Sequence, residues 1–88
     1  MLVESNINNT ELNNIKIIEK PRILLVEDDA ITNEVIKVYL NNDFVVDIAV
    51  TEQQAMSFIR NSKYFAVLLD INLGRGGSGL NVIKEIRK

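Results

Sequence analysis

The chain has no cysteine, no histidine and no tryptophan. Without cysteine there is no disulfide, no thiolate nucleophile and no thiolate metal ligand. Without histidine, the commonest general base and metal ligand is missing. Any metal held here must be a hard cation on oxygen ligands: magnesium, manganese or calcium. No charge of one sign dominates, with 10 Lys and Arg against 12 Asp and Glu. A net charge of −2 gives nucleic acid or an anionic membrane no electrostatic hold as a main partner. No apolar run approaches the roughly 18 residues of a membrane span. The opening MLVESNINNTELNN has neither the basic start nor the apolar core of a secretory signal. Cytoplasm is the expected location.

What is present fits one small domain. The 88 residues are 47% hydrophobic and 25% charged, ordinary values for a globular chain. Residues 1–21 are rich in Asn, Glu and Lys and poor in apolar residues. We read them as a flexible leader or linker, with a weak helical turn near Ile15–Ile18 and with Pro21 marking its end.

From Arg22 the pattern changes. Ile23–Val26 is a short continuous apolar run, the mark of a strand buried on both faces. Asp29 precedes AITNEVIKVYL, where Ile31, Val35, Val38 and Tyr39 form one helical stripe. Asn41-Asn42-Asp43 stops that helix. Phe44–Ala49 is β-branched and reads as a second strand. Thr51 and Gln54 form a capping box for a second helix, whose buried face is Ala55, Phe58 and Ile59. Residues 65–69, FAVLL, give a third buried strand ending at Asp70. INLGRGGSG is a loop, and Leu80, Ile83 and Ile86 mark a third helix running to the last residue.

The order is therefore βαβαβα, which predicts an α/β fold: a parallel sheet with helices on both faces. Crossovers should be right-handed. With the second and third strands flanking the first, the carboxyl ends of the first and third open into one crevice. Glu27 and Asp28 follow the first strand and Asp70 follows the third, 42 positions after Asp28. Adjacent carboxylates repel, and a divalent cation relieves that cost. Carboxylates and backbone carbonyls suit magnesium with several retained waters. Asp29 reads as the helix cap, Thr51 as a cap without catalytic duty, and Arg75 as solvated.

ILLVEDD, followed some 40 residues later by LLDINLGRGGSGL, resembles the receiver domain of two-component response regulators. The resemblance spans residues 22–88 and implies a flavodoxin-like three-layer fold, of which three of five βα units are present. It implies that Asp28 ligates Mg2+ directly and that Glu27 supports it through water. Asp70 is implied as both ligand and phosphoacceptor, and Asn72 as a backbone-carbonyl ligand. The implied partner is a histidine kinase or phosphotransfer protein, with an output domain or partner chain receiving the signal. The chain would then be a phosphoacceptor in a phosphorelay, an enzyme at most toward its own phosphorylation and dephosphorylation. The Ser or Thr after the fourth strand and the Lys after the fifth have no counterpart. A third strand left as an open edge gives a route to self-association, and a first helix covering one sheet face alone leaves apolar surface exposed.

Three rival readings stand beside this one. A receiver-like interaction module that is never phosphorylated needs no chemistry at Asp70. Gly74, Gly76 and Gly79 match G-x-G-x-x-G, a dinucleotide fingerprint. That fingerprint belongs after a first strand, not a third, and the Asp70 carboxylate would repel a pyrophosphate. A phosphatase with an aspartate nucleophile would want an acid where Asn72 stands.

Overall fold

The computed structural model describes residues 20–88. The leader expectation for residues 1–19, including the turn near Ile15–Ile18, lies outside the described residues. The elements are β1 (Arg22–Val26), α1 (Ala30–Leu40), β2 (Val45–Ala49), α2 (Glu52–Asn61), β3 (Ala66–Leu69) and α3 (Gly79–Ile86). A short 3-10 turn, Gly74–Gly76, lies between β3 and α3.

The sheet order is β2-β1-β3 and both pairings are parallel. β1 is the central strand, which explains its unbroken apolar run: Ile23, Leu24, Leu25 and Val26 are all buried. Successive side chains alternate between faces. Leu24 and Val26 join Ala49, Ala55, Leu73 and Val82 in the core under α2 and α3. α1 packs on β2 from the other side, over the face of Ile23 and Leu25. The sheet's hydrogen bonding begins at Pro21, whose carbonyl accepts from Val45 N–H at 3.0 Å.

Local signals account for most element limits. Asp29 caps α1, its carboxylate accepting from Thr32 N–H at 2.8 Å and from the Thr32 hydroxyl. Thr51 caps α2 by accepting from Gln54 N–H at 3.1 Å, and Gln54 reaches back to Val50 N–H at 2.8 Å. The box thus closes one residue earlier than the usual reciprocal pair. Ser78 caps α3.

Two helix faces differ from expectation. The α1 stripe of Ile31, Val35, Val38 and Tyr39 is exposed, Tyr39 at 80%. The helix instead turns Asn33 inward, with Ile36 and Leu40 half-buried beside it. At 3.6 residues per turn these lie on the opposite side from the stripe. Periodicity establishes that a helix has an apolar face; the connection from β1 decides which face docks. In α3, Val82 is buried while Leu80 and Ile86 stand half-exposed, and the helix stops at Ile86, before the last residue. Glu85 occupies the position that draws α3 to α2, paired with Arg60 at 2.7 Å and with Lys88 at 3.0 Å.

Candidate metal centre

The site forms where two strand ends are stitched together. Asp70 N–H donates to the Val26 carbonyl at 2.9 Å, and Glu27 N–H donates to the Ala49 carbonyl at 3.0 Å. These bonds carry the two parallel ladders one step past the last strand pairs, Val26 with Leu69 and Val26 with Ala49. Asp70 therefore leaves β3 beside the point where Glu27 and Asp28 leave β1.

Glu27, Asp28 and Asp70 each offer a carboxylate oxygen within 4.8 Å of the others. This is the meeting of acids expected from the strand order. Burial lifts the Glu27 carboxyl above the ordinary glutamate range, and a hydrogen bond with Asp70 and the charges of Asp70 and Asp28 lift it further. The Asp29 N–H, 3.3 Å away, pulls it partly back. Ionised carboxylates this close repel, and a bound cation would relieve that cost. The donor set is all oxygen and opens to solvent, which fits a hard divalent ion with retained waters. Asp29 is occupied by its cap bonds, and its carboxyl is held low by Thr32, chiefly through the hydroxyl.

The loop after Asp70 is ordered by short-range bonds. Asp70 Oδ1 accepts from Asn72 N–H at 3.1 Å, and Asn72 Oδ1 accepts from Gly74 N–H at 2.9 Å. Asn72 bridges to Ser78, and Gly79 N–H donates to the Ile71 carbonyl at 2.7 Å. Among the described residues no hydrogen bond uses the Asn72 carbonyl. Leu73, 1% exposed, plugs the core beneath the loop.

The glycines answer to packing. A Cβ at Gly79 would collide with the Asp70 carbonyl oxygen, and one at Gly77, where φ is +111°, would come within 2.7 Å of Glu52. Nor are the amides at the start of α3 left for a pyrophosphate. Glu52 Oε1 accepts from Ser78 N–H and from Asn81 Nδ2, both at 3.0 Å. Those bonds, Ser78 first, hold its carboxyl below the ordinary range. The dinucleotide reading fails on this occupied helix start. Thr51 is a cap, as expected, and Arg75 is exposed.

Sequence reasoning missed Glu52, Leu73 and Asn33. Glu52 stands at the first position of α2, where an acid needs no explanation beyond the helix dipole. Only its contact across 26 residues reveals the second duty. Leu73 carried a signal, a lone leucine in a polar loop, that could have marked it as an anchor.

A family model described as the response regulator receiver domain matches residues 23–88. The chain belongs to that family. Among solved structures, it is 31% identical to the signal receiver domain of a putative LuxO repressor protein from Vibrio parahaemolyticus, with a TM-score of 0.71. That match covers 78% of this chain and 53% of the other. A fusion of a yeast Spc42 trimeric coiled-coil segment to another structure is 28% identical, with a TM-score of 0.72, over 82% of this chain and 50% of that one. The receiver chain thus spans about half the length of these solved structures. No curated protein matches it. The three parallel strands with their helices are the flavodoxin-like arrangement expected of a receiver, here as three βα units.

Proposed function

We propose that this receiver takes a phosphoryl group onto Asp70 from a histidine kinase or phosphotransfer protein, with Mg2+ held by Glu27, Asp28, Asp70 and the Asn72 carbonyl. The observation that carries the reading is the convergence of three carboxylates within 4.8 Å at the ends of neighbouring strands.

An Asp70 carboxylate oxygen attacks the phosphorus of the donor phosphohistidine. A P–O bond forms as the P–N bond breaks, leaving an acyl phosphate on Asp70, and the donor ring, protonated on its other nitrogen, departs as neutral imidazole. Bound magnesium offsets the negative charge that carboxylates and phosphoryl oxygens would otherwise oppose to each other. Asp70 is positioned by its main chain, through the Val26 bond, and oriented by Asn72 N–H. A cation held there would offset the burial and the neighbouring charges that lift the Glu27 carboxyl. The chain's own chemistry ends at acceptance and loss of the phosphoryl group, and an output domain or partner chain reads the result. A cytoplasmic location follows from such partners. Among the described residues no helix is long and apolar enough to cross a membrane.

The test is labelling by acetyl phosphate or beryllofluoride, read by intact mass and fluorine NMR, on wild type and Asp70→Asn. Magnesium-dependent labelling that vanishes in the variant supports the reading. A folded protein that takes no label would make this receiver an interaction module instead.

A further inference from the structure

Asn33 is the one buried polar side chain among the described residues, at 4% exposure. Its Nδ2 donates to the Glu27 carbonyl at 2.7 Å. A carbonyl only accepts, so this bond fixes which end of the amide faces it. The other end, Oδ1, is buried with no partner among the described residues. An unpaired buried acceptor gives up its bond to water and gains none in return, which is costly. A leucine has the same branch at Cγ and no polar end to leave unpaired, so relief at Oδ1 sets off the lost bond to Glu27 and stability is a poor account of the asparagine.

The bond acts on the acid cluster. Glu27 N–H is held by the Ala49 carbonyl at 3.0 Å, and Asn33 holds the Glu27 carbonyl. That carbonyl belongs to the peptide joining Glu27 to Asp28, so the main chain carrying both acids is pinned on either side. Many helices fix the incoming chain by apolar contact between the residue before the cap and the fourth helical residue. With Asp29 as the cap, those positions are Asp28 and Asn33. An acid at Asp28 rules out the apolar contact.

We infer that Asn33 is a positioning residue for the acid cluster: its hydrogen bond to Glu27 replaces the apolar staple and sets the Glu27–Asp28 peptide so that both carboxylates meet Asp70. The inference rests on the reading of that cluster as a divalent-cation site.

The experiment is a magnesium titration of the 88-residue chain followed by amide NMR shifts at Asp28 and Asp70. Wild type, Asn33→Leu and Asn33→Gln are compared, each with a thermal melt by circular dichroism in the absence of magnesium. Asn33→Leu should melt at or above the wild-type temperature yet bind magnesium about tenfold more weakly. Asn33→Gln keeps the donor on a longer arm and should recover part of the loss. A leucine variant that binds within twofold of wild type overturns the inference and leaves the cation site standing. A leucine variant that loses its cooperative melt also overturns it, since Asn33 would then serve folding. A wild-type chain with no magnesium-dependent shift removes the cation site itself, and this inference with it.

Discussion

Asp70 and Val26 are joined by a main-chain hydrogen bond of 2.9 Å, with Asp70 N–H as donor. The bond continues the β1–β3 ladder beyond its last strand pair, Val26 with Leu69. Asp70 therefore sits on the rigid end of a sheet although it is the first residue after β3. A side chain that must meet two others from a distant segment is better held this way than on a free loop.

The same residue is crowded from the other side by Gly79. A Cβ at Gly79 would collide with the Asp70 carbonyl oxygen and press on Ile71. Gly79→Ala should therefore destabilise the fold by about 1–3 kcal/mol, measured by urea unfolding. Gly76→Ala, whose Cβ would stand 3.2 Å from the Val50 carbonyl, should cost less. Equal losses would mean that the close approach at Gly79 is not what matters.

Asp28 and Asp29 are neighbours with opposite expected behaviour. Asp29→Ala removes the cap of α1, so the melting midpoint should fall by a few degrees while magnesium binding persists. Asp28→Ala relieves repulsion within the acid cluster. Its midpoint without magnesium should hold or rise, and its magnesium response should be lost. A swap of these two outcomes would reverse the assignment of cap and ligand.

Tyr64, just before β3, donates to Asp47 Oδ2 on β2 at 2.7 Å across β1, beside the Arg22–Asp47 ion pair at 2.9 Å. Burial, then the hydrogen bond to Asp47, pushes its phenol from 10.0 up to about 12. The folded state thus keeps the proton that the unfolded chain releases first. The stability this supplies is complete below pH 10 and is lost as pH rises from 10 toward about 12. Ultraviolet titration of a Tyr39→Phe background should show Tyr64 ionising near 12, and Asp47→Asn should bring that value down.

β3 pairs with β1 on one side only, and Leu68 within it and Phe65 and Ile71 at its ends are exposed. An apolar, unpaired edge invites pairing with another chain. Sedimentation of the 88-residue chain should show association that grows with concentration, and Leu68→Lys should reduce it. A monomer at all concentrations would mean that this edge is adequately solvated.

The strand order and the acid cluster were legible because they depend on patterns that act at short range. A continuous apolar run identifies β1 as central, and β1 and β3 each run straight into an acid. What was not legible depends on which of two permitted packings wins. The α1 stripe marks a helix, but Asn33, which carries no apolar signal, is the residue that docks. Val82 rather than Leu80 meets the core because Gly79 must lie against Asp70, and that rotates α3. Glu52 shows only an acid in the first turn of α2, and its bonds to Ser78 and Asn81 cross to the start of α3. No spacing within α2 encodes them.

Glu52 also sets the acid limit of the fold. Bonds from Ser78 N–H and Asn81 hold its carboxyl below 4.5, Thr32 holds Asp29 below 3.8, and Lys88 with Arg60 holds Glu85 below 4.5. Each of the three is ionised in the fold at a pH where the unfolded chain has begun to take up protons. Their stabilisation is therefore complete above the unfolded values and is lost as pH falls through the lower folded ones. The melting midpoint should drop as pH is taken from about 5 toward 3. In Glu52→Gln the amide oxygen still accepts from Ser78 N–H, but the group no longer titrates. That variant should begin with a lower midpoint at pH 7 and lose less on acidification, because one of the three proton-linked contacts is gone. A variant whose acid profile runs parallel to wild type would show that Glu52 does not carry this dependence, and that Asp29 and Glu85 do.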